Sequence, residues 1–332
     1  MKIAFFDTHQ FEKEIFLKAN ESFQYDINFI ETRLNKGTAS LAKGHDVVCS
    51  FVNDKIDDEC LAMLKSLGVR LIALRSAGFN HVDVAAARRD GIVVSRVPGY
   101  SPHAVAEFAV GLLLTMNRKI HKAYFRVRDL NFSLDHLVGF DLYGKTVGVV
   151  GGGKIGKIFA QIMVSFGCRV LVYDVKKDAE IEMNPSMSYV DYEELCRDSD
   201  VISLHVPLIP QTRHMVDEKA IAQMKSGVFI VNTGRGALID SKALLEGLKS
   251  GKIGGAALDV YEEEENIFFQ DLSDKILQDD ILARLLTFPN VLITSHQAFL
   301  TSEALRNIAE TTLQSVSEFA LKGAISPDKV VT

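Results

Sequence analysis

Thr146 to Asp174 reads TVGVVGGGKIGKIFAQIMVSFGCRVLVYD, and the pattern of this stretch decides the fold. Thr146 to Val150 is a short β-branched run of the kind that fills a buried parallel strand. Gly151, Gly153 and Gly156 follow in G-x-G-x-x-G spacing. The first glycine permits a tight turn, the second lets backbone approach a pyrophosphate, and the third lets helix close on strand. Ile155, Ile158, Phe159, Ile162, Met163 and Phe166 recur at helical spacing, and Gly167 can end the helix. Arg169 to Tyr173 reads as a second strand with Asp174 at its C-terminal end. Asp174 stands 18 positions after Gly156, the separation expected of a carboxylate that binds a ribose 2′-hydroxyl. Its charge repels a 2′-phosphate, which favours NAD over NADP. A glycine turn that serves only packing, or a methyltransferase that binds S-adenosylmethionine, shares parts of this pattern. Residues downstream must separate them.

Upstream, the first hundred residues alternate strand and helix. Strands are predicted over 2–6, 25–30, 46–51, 69–75 and 92–95, with helices over 12–19, 57–67 and 84–89. This is a small α/β domain in its own right. The turn Ser76 to Phe79 follows one of its strands. It is either an ordinary turn or a place where backbone N–H groups face an anion. Val97-Pro98-Gly99-Tyr100-Ser101-Pro102 breaks the rhythm and reads as a hinge. A helix of about residues 103–120 follows, with a broad apolar face that is either core or a subunit interface. The polar stretch 121–137 reads as an exposed excursion. Beyond Asp174 the βα rhythm resumes, with strands over 201–206, 228–232, 255–260 and 291–294. Between the last two lies an acidic stretch, 262–280, predicted to be irregular. The last helix spans 302–321.

With 332 residues, two domains are expected. The net charge of −6 gives no electrostatic footprint for nucleic acid. The opening MKIAFFDTHQ meets Asp7 too soon for a signal peptide and reads as a strand. The apolar run Phe108 to Met116 is too short to span a bilayer. Cys49, Cys60, Cys168 and Cys196 lack C-x-x-C spacing, so they read as reduced cysteines of a cytoplasmic protein, with neither a disulfide frame nor a metal site expected.

Ligands in open parallel sheets bind beyond the C-terminal strand ends. Those ends carry Gly151 to Gly156, Asp174, Val206–Pro207, Asn232 to Arg235, Asp259 to Glu264 and His296. One guanidinium, one imidazole and several carboxylates suit hydride transfer to a keto acid better than methyl transfer. An arginine grips a carboxylate in a fork. A histidine protonates the carbonyl oxygen, and a carboxylate beside it favours the imidazolium. Arg235 lies between two glycines in NTGRGALID, which favours a tight functional loop over a surface arginine. His296, in ITSHQAFLT, is by itself as consistent with a satisfied core histidine. His205, inside LHVP, reads as structural. Among Glu262, Glu263, Glu264 and Glu265 nothing local selects one.

RSAGFNHVD, VPGYSPHAVAEFA, VGVVGGGKIG, DVISLHVPL, VNTGRGALID, LDVYEEEE and TSHQAFLT, in this order and spacing, resemble the D-isomer-specific 2-hydroxyacid dehydrogenase family across essentially the whole chain. The resemblance implies two Rossmann-like, doubly wound parallel-sheet α/β domains with a cleft between them. The substrate domain is then discontinuous, 1–99 and 299–332, around an NAD-binding domain of 100–298, with hinges near Tyr100 and Ala298. It selects Glu264 as the catalytic glutamate, paired with His296 as proton donor, and gives Arg235 the substrate carboxylate and carbonyl. Cofactor contacts fall on Gly151, Gly153, Lys154, Ile155, Gly156, Asp174, Val206, Pro207, Thr212, Thr233, Gly234, Arg235 and Asp259. The family often has Asn where Thr212 stands. Substrate contacts fall on the Gly78 and Phe79 backbone and on Tyr100, Arg235, His296 and Phe299. Bulky Tyr100 and Phe299, and the acidic insert with IFFQDLSD, imply NADH-dependent, reversible reduction of pyruvate to D-lactate. The alternatives are a larger 2-keto acid, such as 2-ketoisocaproate or phenylpyruvate, and a dinucleotide-sensing co-regulator. A homodimer, or a tetramer built from dimers, is expected through the helix from His103.

Overall fold

The computed structural model describes the backbone of residues 1–332 and every side chain except that of Asn266. The chain opens with β1 (Lys2–Phe5), α1 (Gln10–Asn20), β2 (Asp26–Phe29), β3 (Val47–Ser50), α2 (Asp58–Ser66), β4 (Leu71–Leu74), α3 (Val84–Asp90) and β5 (Val93–Ser95). It continues with α4 (Pro102–Arg118), α5 (Ile120–Arg128), β6 (Thr146–Val150), α6 (Lys154–Ser165), β7 (Arg169–Tyr173), α7 (Ala179–Glu182), β8 (Met187–Tyr189), α8 (Tyr192–Asp198) and β9 (Val201–Leu204). Then come α9 (Glu218–Gln223), β10 (Val228–Asn232), α10 (Ser241–Lys249), β11 (Ile253–Leu258), α11 (Asp280–Leu286), β12 (Val291–Ile293) and α12 (Ser302–Lys322).

These elements form two compact units. One combines Met1–Ser101 with Leu300–Thr332, and the other is the continuous stretch Pro102–Phe299. The first holds a five-stranded parallel sheet in the order β2-β1-β3-β4-β5. β3 and β4 are buried at every residue, which is why Val47–Cys49 and LIAL are unbroken apolar runs. The second unit holds a seven-stranded parallel sheet in the order β12-β11-β10-β9-β6-β7-β8. Its order reverses between β6 and β9, and that switch point is where a doubly wound sheet opens a crevice for a ligand.

Local chemistry starts many of the helices. Asp57, Asp83, Asp191, Asp217, Asp240, Asp279 and Thr301 each accept a hydrogen bond from a first-turn amide through the side chain. Each such cap is worth about 1 kcal/mol. In the second unit, Val147, Val149, Phe159, Met163, Val170 and Val172 pack with Ala109, Leu113 and Met116 of α4 in one core.

That packing bears on the helix from His103, whose apolar face read as either core or subunit interface. Its apolar face is core of its own unit, and its exposed residues include His103, Glu107 and Gly111. The stretch 121–137 has no buried residue, as an exposed excursion should, and α5 occupies much of it. None of the residues of α5 is buried, so its periodicity has no core to report. The acidic stretch 262–280 contains a single 3₁₀ turn, Glu264–Asn266, and gives way at Asp279 to α11.

Candidate active site

The glycine turn stands at the switch point. Gly151 has φ 103°, and a Cβ there would lie 2.7 Å from the His205 carbonyl carbon beyond β9. A Cβ on Gly156 would lie 1.8 Å from Gly151 O. Any side chain at either position would therefore push turn and helix apart. His205 packs against Phe159, 5.0 Å between ring centroids, and its Nε2 lies 2.9 Å from Ser203 Oγ. Burial pushes its pKa down to about 3, so it supports the turn as a neutral ring.

Asp174 accepts hydrogen bonds from Gly152 N–H (2.7 Å) and Lys176 N–H (2.9 Å). The carboxylate expected at the ribose is thus tied to the glycine turn itself. Gly153 is the N-cap of α6 and offers no side-chain cap, and the space a Cβ would fill there is open. Lys154 and Ile155 form the first turn of α6. Its unpaired amides and positive dipole end suit a pyrophosphate. Thr233 Oγ1 is buried with no hydrogen-bond partner among the described residues, a polar atom left for a ligand at the adjacent strand end. The residues present therefore fit a dinucleotide. Val206 and Pro207 follow β9. Thr212 directs its hydroxyl back to Pro207 O (2.6 Å) and accepts from Ile209 N–H (2.9 Å). In this structure that hydroxyl closes the loop.

Arg235, Glu264 and His296 follow three adjacent strands. Asn232 of β10 pairs with Leu258 of β11, and Leu258 with Ile293 of β12. Asn232 shapes the turn that carries Arg235. Its Oδ1 accepts from Gly234 N–H (3.0 Å) and its Nδ2 donates to Arg235 O (2.9 Å). Arg235 Nη1 donates to Gly234 O (2.7 Å), and the guanidinium is only partly buried. A Cβ on Gly236 would lie 2.0 Å from the Tyr261 carbonyl carbon, so this turn packs directly on the segment leading to Glu264.

Glu264 faces His296, with Oε1 2.7 Å from Nδ1. Its Oε2 accepts from Tyr261 N–H (2.9 Å). Both side chains are mostly buried, 19% exposed for Glu264 and 16% for His296. With Nδ1 turned to a carboxylate, Nε2 is the nitrogen left for chemistry. His296 holds a left-handed backbone, φ 55°, which costs a non-glycine residue roughly 1–2 kcal/mol. Asp259 offsets that cost. Its backbone O accepts from His296 N–H (2.6 Å). Its carboxylate accepts from Thr294 Oγ1 (2.6 Å), Gln297 N–H (2.9 Å) and Ala298 N–H (2.8 Å). Burial raises the Asp259 pKa, and the bond from Thr294 leads the opposing influences. The hydrogen bonds of the Asp259 side chain thus clamp the loop that presents His296. Phe299 closes the same segment.

Gly78, Phe79 and Tyr100 belong to the first unit, at the ends of β4 and in the chain after β5. Two contributors were named at the strand ends without a role of their own. Asn232 sits in V-N-T-G, an Asx-turn pattern that was open to recognition. Glu262 accepts from Arg213 Nη2 (3.1 Å) and Ser241 Oγ (3.2 Å) and lies 2.5 Å from His214 Nε2. These partners are remote in sequence and left no local signal.

Residues 110–298 match the family described as D-isomer specific 2-hydroxyacid dehydrogenase, NAD binding domain. The chain is 50% identical over 331 residues to the D-lactate dehydrogenase of Escherichia coli, covering 100% of both. It superposes on the apo-structure of D-lactate dehydrogenase from Escherichia coli with a TM-score of 0.90, at 48% identity and 100% coverage of each chain. The Aquifex aeolicus D-lactate dehydrogenase complexed with NAD and lactic acid gives a TM-score of 0.85 at 33% identity, covering 96% of this chain and 95% of that one. Together with the dinucleotide cradle and the histidine–glutamate pair, these likenesses establish an NAD-dependent oxidoreductase, and the chain belongs to the D-isomer-specific 2-hydroxyacid dehydrogenase family.

Proposed function

We propose that this enzyme reduces pyruvate to D-lactate with NADH and catalyses the reverse reaction. The observation that carries the reading is the 2.7 Å contact between His296 Nδ1 and Glu264 Oε1, beside the Arg235 turn and the dinucleotide cradle. NADH, when bound, supplies the hydride. As the carbonyl carbon gains it, negative charge builds on the carbonyl oxygen. His296 gives that oxygen a proton from Nε2, and Glu264 stabilises the imidazolium beforehand. Arg235 holds the substrate carboxylate and polarises the carbonyl. The backbone N–H groups of Gly78 and Phe79 receive the same carboxylate, and Tyr100 and Phe299 limit the size of the substrate's side chain. On this reading the unit of 1–101 and 300–332 binds substrate. Gly151, Gly153, Gly156, Lys154, Ile155, Asp174, Val206, Pro207, Thr212, Thr233, Gly234 and Asp259 surround NAD directly or through the loops they shape. Comparing kcat/KM for pyruvate, 2-ketoisocaproate and phenylpyruvate tests the substrate. A strong preference for either larger acid overturns the lactate assignment, and NADH binding with no turnover of any 2-keto acid supports a sensing role instead.

The enzyme is read as a cytoplasmic homodimer, or a tetramer built from dimers. Four free, buried cysteines suit a reducing compartment, and among the described residues no helix is long and apolar enough to cross a membrane. The helix from His103 keeps an exposed face for a partner, and α5 with the segment after it extends the surface proposed for the dimer. There Tyr124, Phe125, Leu130, Phe132, Leu134 and Val138 are all more than half exposed, a contiguous-in-sequence apolar surface that calls for cover. Phe125→Glu lowers the mass seen by analytical ultracentrifugation if a second copy covers it; an unchanged mass removes this surface from the interface.

A further inference from the structure

Three successive peptide groups in the turn after β4 have their carbonyl ends occupied. Val97 N–H donates to Ser76 O (2.9 Å). Arg96 Nη1 donates to Ala77 O (3.3 Å), and Ser76 Oγ donates to Gly78 O (2.7 Å). Each carbonyl shares its peptide group with the next residue's N–H, those of Ala77, Gly78 and Phe79. Among the described residues none of these three N–H groups has an acceptor. A carbonyl that accepts a hydrogen bond polarises its own amide and strengthens the N–H as a donor. Successive N–H groups free to converge are the makings of an anion-binding nest.

Arg96 is poised to do more than brace the turn. Its guanidinium lies 5.5 Å from the centroid of the Phe79 ring, and its Nε is buried without a hydrogen-bond partner. It brings a fixed positive charge to the peptide groups that face the anion. Ser76, which ties the third of the three peptides, is itself buried, so its hydroxyl bond is sheltered from water.

We propose that Arg96 and Ser76 are positioning residues for the substrate carboxylate, fixing and polarising the peptide groups whose Gly78 and Phe79 N–H groups receive it. This rests on the reading above that Gly78 and Phe79 bind that carboxylate. Neither side chain touches the substrate. Each acts through a backbone carbonyl, which leaves the N–H groups to make the contact. The arrangement favours 2-keto acids over the corresponding neutral amides.

Oxamate, an isostere of pyruvate that accepts no hydride, is the probe. It is titrated into the full-length enzyme saturated with NADH, and amide hydrogen exchange is followed in the peptide spanning residues 76–80. In the wild type, oxamate slows exchange in that peptide. Arg96→Met weakens oxamate binding and raises KM for pyruvate on the order of tenfold, while kcat and NADH affinity stay within about twofold. Arg96→Lys recovers part of the loss because it keeps the charge. Ser76→Ala gives a smaller loss of the same kind, roughly two- to fivefold, and serves alone if Arg96→Met does not fold. Unchanged oxamate affinity in these variants, with the turn protected in the wild type, overturns the proposal and leaves the carboxylate assignment standing. No protection in the wild type removes the assignment and the proposal with it. Equal losses of NADH and oxamate affinity in Arg96→Met mark a general structural defect and also overturn it.

Discussion

His296 turns Nδ1 onto Glu264 Oε1 at 2.7 Å while its own backbone sits in the left-handed region at φ 55°. The ring is held from two directions, by the glutamate through its side chain and by Asp259 through its main chain. His296→Ala therefore lowers kcat by roughly 10²–10⁴-fold and leaves NADH affinity near the wild-type value. Near-normal kcat in steady-state assays removes His296 as proton donor. In Glu264→Gln the ring loses the carboxylate that orients it, and kcat falls by roughly tenfold or more. A kcat near the wild-type value contradicts the pairing.

Asp174 receives Gly152 N–H at 2.7 Å, and the function proposed above gives it the ribose as well. Asp174→Ala narrows the preference for NADH over NADPH by roughly tenfold or more, because a charge that repels a 2′-phosphate is gone. Fluorescence titration with both cofactors measures this. An unchanged ratio undoes the ribose assignment.

His205 makes the second unit sensitive to acid. Its folded pKa is depressed to about 3, below the unfolded value of about 6.5. Between those values the unfolded chain binds a proton that the folded chain refuses, so stability falls as pH drops below about 6.5. The limiting slope for one such group is roughly 1.4 kcal/mol per pH unit. His205→Gln, which cannot titrate, flattens that slope. Guanidinium unfolding at pH 7 and pH 5 compares the two proteins, and equal losses on acidification exclude His205 as the source.

Gly236 has no room for a side chain, with Tyr261 backbone 2.0 Å from the position of a Cβ. Gly236→Ala forces the Arg235 turn away from the Glu264 segment and costs roughly 1–3 kcal/mol by overpacking. The larger effect is expected on kcat/KM, since two of the three side chains proposed for the reaction ride on the parts that separate. Full activity in this variant shows that the two segments tolerate independent movement.

The glycine turn and Asp174 were legible because their chemistry is local: a strand, three glycines, an amphipathic helix and a carboxylate within one βαβ unit. The strand ends that carry Arg235 and His296 could be read for the same reason. Glu264 could not be chosen from Glu262 to Glu265 by any local rule. Folding separates these neighbours, sending Glu262 to Arg213, His214 and Ser241 and Glu264 to His296. Their partners lie 21 to 49 residues away, and Glu264 opens the 3₁₀ turn Glu264–Asn266 while Glu262 stands before it. α5 was missed because helical periodicity is read from a buried face, and α5 has none. α4 was ambiguous for the opposite reason. A broad apolar face looks alike whether it meets its own sheet or another molecule.

The first unit is closed by α12, made long after its other elements, and this helix packs on α1 and β4. A ribosome therefore completes the whole of Pro102–Phe299 before it supplies the piece the opening strands need. During synthesis the amino-terminal sheet waits with α1 and one side of β4 uncovered, while the dinucleotide unit has all of its strands. The order of maturation is thus free to run opposite to the order of synthesis, with the later-born unit able to mature first.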